Sequence, residues 1–158
     1  MAGIHPGRFT AQIEGDFVVF LIGMRVNQPL LIHKWLPVAT AMPRMIKELI
    51  RQPELGLLHA QVFVSGLTLM NVQYWRSFEQ LHAYAHARGK EHLPAWADFN
   101  RKVGGNGSVG VFHETYEVQA GHYECVYANM PRMGLARAGE IVPATGRLES
   151  AMSRMSRG

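Results

Sequence analysis

The chain has 158 residues, of which 47% are hydrophobic and 18% are charged, and its formal net charge is +4. This length suits one domain with a core of its own. Four arginines within residues 137–158 carry much of the basic excess, so we exclude a dedicated nucleic-acid surface, which needs basic residues clustered on a folded face. The single cysteine, Cys125, excludes an intrachain disulfide and fits a reducing compartment. No apolar run is long enough to cross a bilayer, so we expect a cytoplasmic protein with no membrane partner.

The body of the chain predicts alternating strands and helices. Residues 17–22 form a continuous β-rich run, and apolar residues recur every three or four positions over residues 36–50. Ser65 and Gly66 are the turn signal of a tight hairpin, and Pro43 should kink the first helix. The predicted strands are residues 16–26, 57–65, 67–75 and Val109–Val118, with a short extended segment at 122–128. The predicted helices are residues 33–52, 77–87 and 92–103.

This order of elements is the split βαβ pattern of ferredoxin-like folds. We therefore predict an α+β domain in which one antiparallel sheet carries its helices on one face. Three of the strands are apolar on both sides, so the second face needs a cover, and a symmetric homodimer with sheet packed on sheet would provide one. The predicted divisions are an N-terminal arm at 1–15, the ferredoxin-like domain at 16–135 and a basic C-terminal tail at 136–158, which we expect to be partly ordered.

The strand Val109–Val118 holds the densest set of residues that could carry chemistry. Strand alternation places Val111, His113 and Thr115 on one face, so His113 lies in mid-strand among apolar neighbours. Three interpretations stay open: a hydrogen-bonded core histidine, an axial ligand to heme iron, or a general base.

Two other segments carry candidate residues. Ser77 is the predicted N-cap of a helix on which His82 and His86 share a face at a spacing that can chelate a metal, although a solvated helix face is the favoured interpretation. Residues 123–135 contain Met130 and Met133, which would be adaptable lining for an apolar pocket. Cys125 is interpreted as a small buried hydrophobic residue.

Three stretches together resemble a family of small bacterial and fungal proteins named for a monooxygenase of the fumagillin pathway. The stretches are Tyr74-Trp75-Arg76-Ser77 with its following helix, Gly110 to Tyr116, and Tyr127 to Leu135. The resemblance covers residues 16–138 and implies a dimeric α+β barrel, a fold that serves small oxygenases with and without heme.

A more distant similarity links the chain to heme-containing aldoxime dehydratases. Their proximal heme ligand is a histidine in a Tyr-His-Glu-Val strand, and it matches His113. Their distal histidine has no counterpart, because the matching stretch here reads Asn129-Met130-Pro131. Their catalytic serine has no evident match either.

The resemblance implies a monooxygenase-like oxidoreductase that acts on a small apolar organic substrate. Its cofactor would be heme b, with His113 as the axial ligand to iron, or there would be none. Arg76 and His92 are the other candidate catalytic residues, because they could meet heme propionates or a substrate carboxylate. Glu117 is the candidate acceptor for the second ring nitrogen of His113. The candidate cofactor-binding residues are His113, Trp75, Phe78, Met130 and Met133. The alternatives are an aldoxime dehydratase-like lyase and a non-catalytic heme- or ligand-binding protein.

Overall fold

The computed structural model describes residues 3–102 and 104–155. The predicted helix end at Val103, the start of the arm and the last three tail residues lie outside the described residues. The strands are β1 His5–Gln12, β2 Phe17–Val26, β3 Leu57–Ser65, β4 Thr68–Trp75, β5 Val109–Val118, β6 Tyr127–Met130 and β7 Glu140–Pro143. The helices are α1 Ile32–Arg51, α2 Phe78–His86, α3 His92–Lys102, α4 Leu135–Ala138 and α5 Ala151–Met155.

The main sheet has four antiparallel strands in the order β3-β4-β2-β5. Helices α1, α2 and α3 lie on one face of it, and the core beneath them includes Val18, Leu49 and Trp75. The α+β, ferredoxin-like fold class predicted from the sequence is confirmed. The predicted cap is also present, since the Ser77 hydroxyl accepts a hydrogen bond from the Gln80 backbone N–H at 3.2 Å.

Strand register decides which side chains face the helices. Ile22 on the central strand β2 pairs with Asn71 on β4 and with His113 on β5. Paired residues of neighbouring strands point to the same face, so these three side chains form one row across the sheet. Helix α1 passes over this face and contains Pro37 and Pro43 within its length.

The arm and the tail build a second sheet that the sequence analysis did not predict. Strand β1, in the arm, pairs with β6 on one side and with β7, in the tail, on the other. The segment expected to be extended at 122–128 forms a ladder only from Tyr127. The small sheet and α4 bury Phe9, Phe17 and Leu135, which covers one end of the main sheet's outer face.

The other end of that outer face stays exposed. Phe63 is 38% exposed, Phe112 is 39% exposed and Tyr116 is 51% exposed. Phe112 pairs with Gly23 of β2, and a Cβ atom added to Gly23 would meet the Phe112 ring at 2.5 Å. The ring therefore lies over the glycine, an arrangement in which an aromatic side chain covers the gap that glycine leaves in a sheet.

Among the described residues, no helix has the length and apolar character needed to span a bilayer.

Candidate functional site

The main cavity lies between the four-stranded sheet and helices α1, α2 and α3, and its volume is about 650 Å³. Most of its lining is aliphatic or aromatic. The described lining includes no Asp, Glu, Lys or Arg. The polar side chains that line it are Asn71, His82, His86, His92, His113 and Thr115. Apolar walls with a few polar groups are typical of a site for a small organic molecule.

His113 occupies the floor of this cavity on β5. Its ring is exposed to the cavity and lies 5.8 Å from the Phe20 ring, measured between centroids. Val111 and Thr115 line the cavity on either side of it, as strand alternation predicts. Within residues 3–102 and 104–155, no hydrogen bond joins Glu117 to His113, so the expected acceptor for its second ring nitrogen is not engaged.

His92 and His86 bring two further imidazoles to the wall opposite the sheet. The Nδ1 atom of His92 lies 2.8 Å from the Ala85 carbonyl oxygen, and that of His86 lies 2.9 Å from the His82 carbonyl oxygen. A carbonyl oxygen can only accept, so each Nδ1 carries the proton and donates. In the neutral form of each ring, the Nε2 atom therefore keeps its lone pair.

Burial lowers the pKa of His92 below its ordinary value, and positive charge on His86 or His113 would lower it further. The hydrogen bond to Ala85 opposes this shift without reversing it. His92 is accordingly neutral near pH 7, where its Nε2 can accept a hydrogen bond or take a proton.

His82 and His86 stack, with ring centroids 4.1 Å apart. Among the described residues, no group of three or more His, Cys, Asp or Glu side chains could hold a metal ion. Both rings line the main cavity, where His82 also contacts Phe78.

Asn71 is a cavity residue that the sequence analysis missed. It is 3% exposed, and neither its Oδ1 nor its Nδ2 atom has a hydrogen-bond partner. Register places its side chain on the same face as Ile22 and His113, which both line the cavity. A buried amide without a partner costs free energy, which makes it a candidate to bind a polar group of a ligand. The signal in the sequence was a lone amide within the apolar run Leu69–Val72.

Comparisons with known proteins give the family. The model of the family described as monooxygenase af470-like matches residues 17–135. A curated relative, monooxygenase af470 of Aspergillus fumigatus, is 31% identical over 161 residues, which cover 89% of this chain and 57% of the relative. The chain belongs to the monooxygenase af470-like family. It spans little more than half the length of that relative.

Two solved structures align with this chain. An aldoxime dehydratase in complex with butyraldoxime aligns with a TM-score of 0.62 at 16% identity, over 83% of this chain and 42% of that one. SnoaB, a cofactor-independent oxygenase from Streptomyces nogalater, aligns with a TM-score of 0.47 at 14% identity, over 64% of this chain and 91% of that one. At such identities the likeness to the dehydratase shows a shared fold only.

The main cavity brings together some of the residues predicted from the sequence. His113, His92 and Phe78 line it. Trp75 does not, because it is 1% exposed in the core and its indole N–H donates to Gln73 Oε1 at 2.8 Å.

Three other predicted residues lie elsewhere. The Arg76 guanidinium donates to the Glu14 carbonyl oxygen at 2.6 Å and lines a separate cavity of about 580 Å³ beside the small sheet. Met130 belongs to β6 of that small sheet, and Met133 precedes α4. The structure therefore does not bring Arg76, Met130 or Met133 to the main cavity.

The residues present do not fit heme well. His113 offers an imidazole of the kind that holds heme iron. The two propionates of heme are anions, however, and the main cavity has no Lys or Arg in its own described lining. The predicted partner Arg76 lies at a separate cavity, and Lys47 and Arg51 line only a smaller cavity along α1. The lining fits a molecule with an apolar body better.

Proposed function

We propose that this chain is an oxygenase that acts on a small, largely apolar organic substrate bound in the main cavity. Membership of a family named for a monooxygenase supports this class of reaction. The observation that carries the proposal is His92. Its ring is neutral, its tautomer is fixed, and it lies in an apolar cavity that has a second imidazole, His113, on the floor.

The residues suit oxygenation in which the substrate itself supplies the electrons. His92 Nε2 takes a proton from an activated methylene group, and the resulting carbanion forms a C–O bond with dioxygen. The peroxide oxygen takes that proton back from His92. His92 then removes the second C–H proton as the O–O bond breaks, so the carbon becomes a carbonyl and the departing oxygen leaves as water. The sum is R₂CH₂ + O₂ → R₂C=O + H₂O, which needs no external reductant. The apolar walls exclude water, and His113 supplies a proton to the departing oxygen.

The test is oxygen consumption with a ketone whose methylene group is both benzylic and next to the carbonyl, such as 2-tetralone. We expect His92→Gln to lower the rate at saturating substrate by about 10²-fold or more, the usual contribution of a general base. His122→Gln is the matched control, because His122 is exposed and is not part of the described cavity lining. Mass spectrometry with ¹⁸O₂ should place one labelled atom in the product. An unchanged rate in His92→Gln would refute the role of this base.

A second measurement tests whether the protein binds and requires heme. We propose that the oxygenase works without heme, so heme titration of the purified protein should give no Soret band that depends on His113. A stoichiometric Soret band lost in His113→Ala, with activity that requires heme, would replace this proposal with a heme-dependent one.

An aldoxime dehydratase-like lyase is not favoured. The stretch that matches the distal-histidine segment of those enzymes lies in the small sheet, where Asn129 Oδ1 accepts a hydrogen bond from the Gly7 N–H at 2.8 Å. It therefore cannot supply an acid to the main cavity. Formation of nitrile from butyraldoxime would contradict this conclusion.

We also propose that the chain forms a homodimer through the exposed part of the outer sheet face. Phe63, Phe112 and Tyr116 are large apolar or aromatic side chains that are exposed there. Light scattering at micromolar concentration should give twice the chain mass, and Phe112→Glu should give a monomer. A monomeric wild-type chain would refute the proposal.

A further inference from the structure

The smallest of the three cavities described, of about 410 Å³, runs along helix α1 and meets the main cavity. Pro43, Val62 and Asn71 line both cavities. The two spaces therefore adjoin beneath the proline-containing part of α1. We call the smaller space the α1 groove.

The junction of the two cavities contains one polar side chain. Asn71 lies there with an unpaired amide, although it is 3% exposed. A ligand that passes the junction can thus satisfy an amide that the protein leaves unpaired.

The α1 groove differs from the main cavity in charge. Lys47 and Arg51 line it, and they are four residues apart on α1, so they share a helix face. Its described lining includes no Asp or Glu. In the main cavity, His92 is a poor permanent partner for an anion, because burial lowers its pKa below the ordinary value. Lys47 and Arg51 therefore supply the positive charge.

We propose that the substrate is an amphiphilic carboxylate, an inference that rests on the proposed function and names its substrate class. The apolar body fills the main cavity against the row that contains His113. The chain passes Asn71, and the carboxylate pairs with Lys47 and Arg51 in the α1 groove. The reacting carbon is then held on the apolar side of the junction, beside His92.

The test compares decanoate with 1-decanol, which share an alkyl chain and differ in charge, by isothermal titration calorimetry at pH 7.5 and low salt. Two partly exposed ion pairs should make decanoate bind about tenfold more tightly. The double variant Lys47→Met/Arg51→Met should bind the two probes equally. Arg132→Met removes an exposed cation outside both cavities and should keep the wild-type preference.

Several outcomes would overturn the proposal. They are no binding of either probe, equal affinities in the wild type, or a preference for decanoate that survives in the double variant. A preference lost in His86→Leu would place the carboxylate on the opposite wall and would also overturn it. The assay needs no turnover, so its result is separable from that of the oxygenase test, in which the uncharged 2-tetralone lacks the carboxylate.

Discussion

Replacing Asn71 with leucine should stabilise the protein while weakening its ability to bind a ligand. Leucine has nearly the same shape as asparagine but no polar atoms, and both amide atoms of Asn71 are buried without partners. An unpaired buried polar group costs about 1–3 kcal/mol. Asn71→Leu should therefore raise the free energy of unfolding by about 1–3 kcal/mol, which is about 3–9 °C in Tm for a domain of this size.

Gln73→Leu is the matched control, since Gln73 lies on the same strand and face and is also 3% exposed. Its Oε1 accepts the hydrogen bond from the buried Trp75 indole N–H at 2.8 Å. Removing that acceptor leaves the N–H unpaired, so Gln73→Leu should lower the free energy of unfolding by about 1–3 kcal/mol. The two substitutions are chemically alike, yet they should change the free energy of unfolding in opposite directions.

Urea denaturation followed by tryptophan fluorescence measures both variants, with equal m values required for the comparison. If Asn71→Leu loses as much stability as Gln73→Leu, the amide has a partner in solution and the reasoning is refuted. A stabilised variant that binds decanoate more weakly would show that the unpaired amide is kept for a ligand, an instance of stability exchanged for function.

Three other perturbations test separate features of the structure. Folding lowers the pKa of His92, so between the native and the ordinary histidine pKa the unfolded state binds more protons than the native state. The free energy of unfolding should therefore fall as the pH drops through that range. In denaturant titrations between pH 5 and 8, His92→Leu should reduce the dependence of this free energy on pH. Gly23→Ala should lower the free energy of unfolding by about 1–3 kcal/mol, because the new Cβ would meet the Leu69 carbonyl oxygen at 2.6 Å as well as the Phe112 ring, and an unchanged Tm would contradict this packing. Arg154 is 4% exposed, and its Nε donates to Glu124 Oε2 at 2.9 Å. Glu124→Ala should therefore lower the free energy of unfolding, measured in urea, by about 3 kcal/mol. A loss below about 1 kcal/mol would mean that the backbone carbonyls beside Arg154 are sufficient to stabilise its buried charge.

Local sequence pattern predicted the main sheet well because its signals are short-range. The strand β5 was predicted with the same bounds as in the structure, and alternation along it placed His113 on the face of Val111 and Thr115. The cap at Ser77 depends on contacts three residues away. Each of these features is fixed by neighbours within one element, so a single sequence is sufficient.

The small sheet could not be predicted in the same way. Strand β1 pairs with β7, and the register joins Phe9 to Pro143 and Gln12 to Glu140. These partners are more than a hundred residues apart, and β7 is only four residues long. No local periodicity marks so short a strand, and its stability comes from pairing across the whole chain.

The candidate site shows the same division between local and long-range information. The family resemblance implied that Trp75 and Arg76 belong to the same site as Phe78, which follows them closely in the sequence. Trp75 instead packs beneath the helices at the end of β4, and Arg76 turns towards the small sheet.

The link between the fold and the proposed chemistry is the register of β2. Ile22 stands between Asn71 and His113, so these two polar groups are held two strand spacings apart, or about 10 Å, on a largely apolar floor. A slip of one residue in either pairing would turn one of them to the outer face, because strand side chains alternate. A ligand that meets both groups must therefore be long enough to span the floor of the cavity. This requirement is independent of the charges in the α1 groove, and it also favours an extended molecule over a compact one.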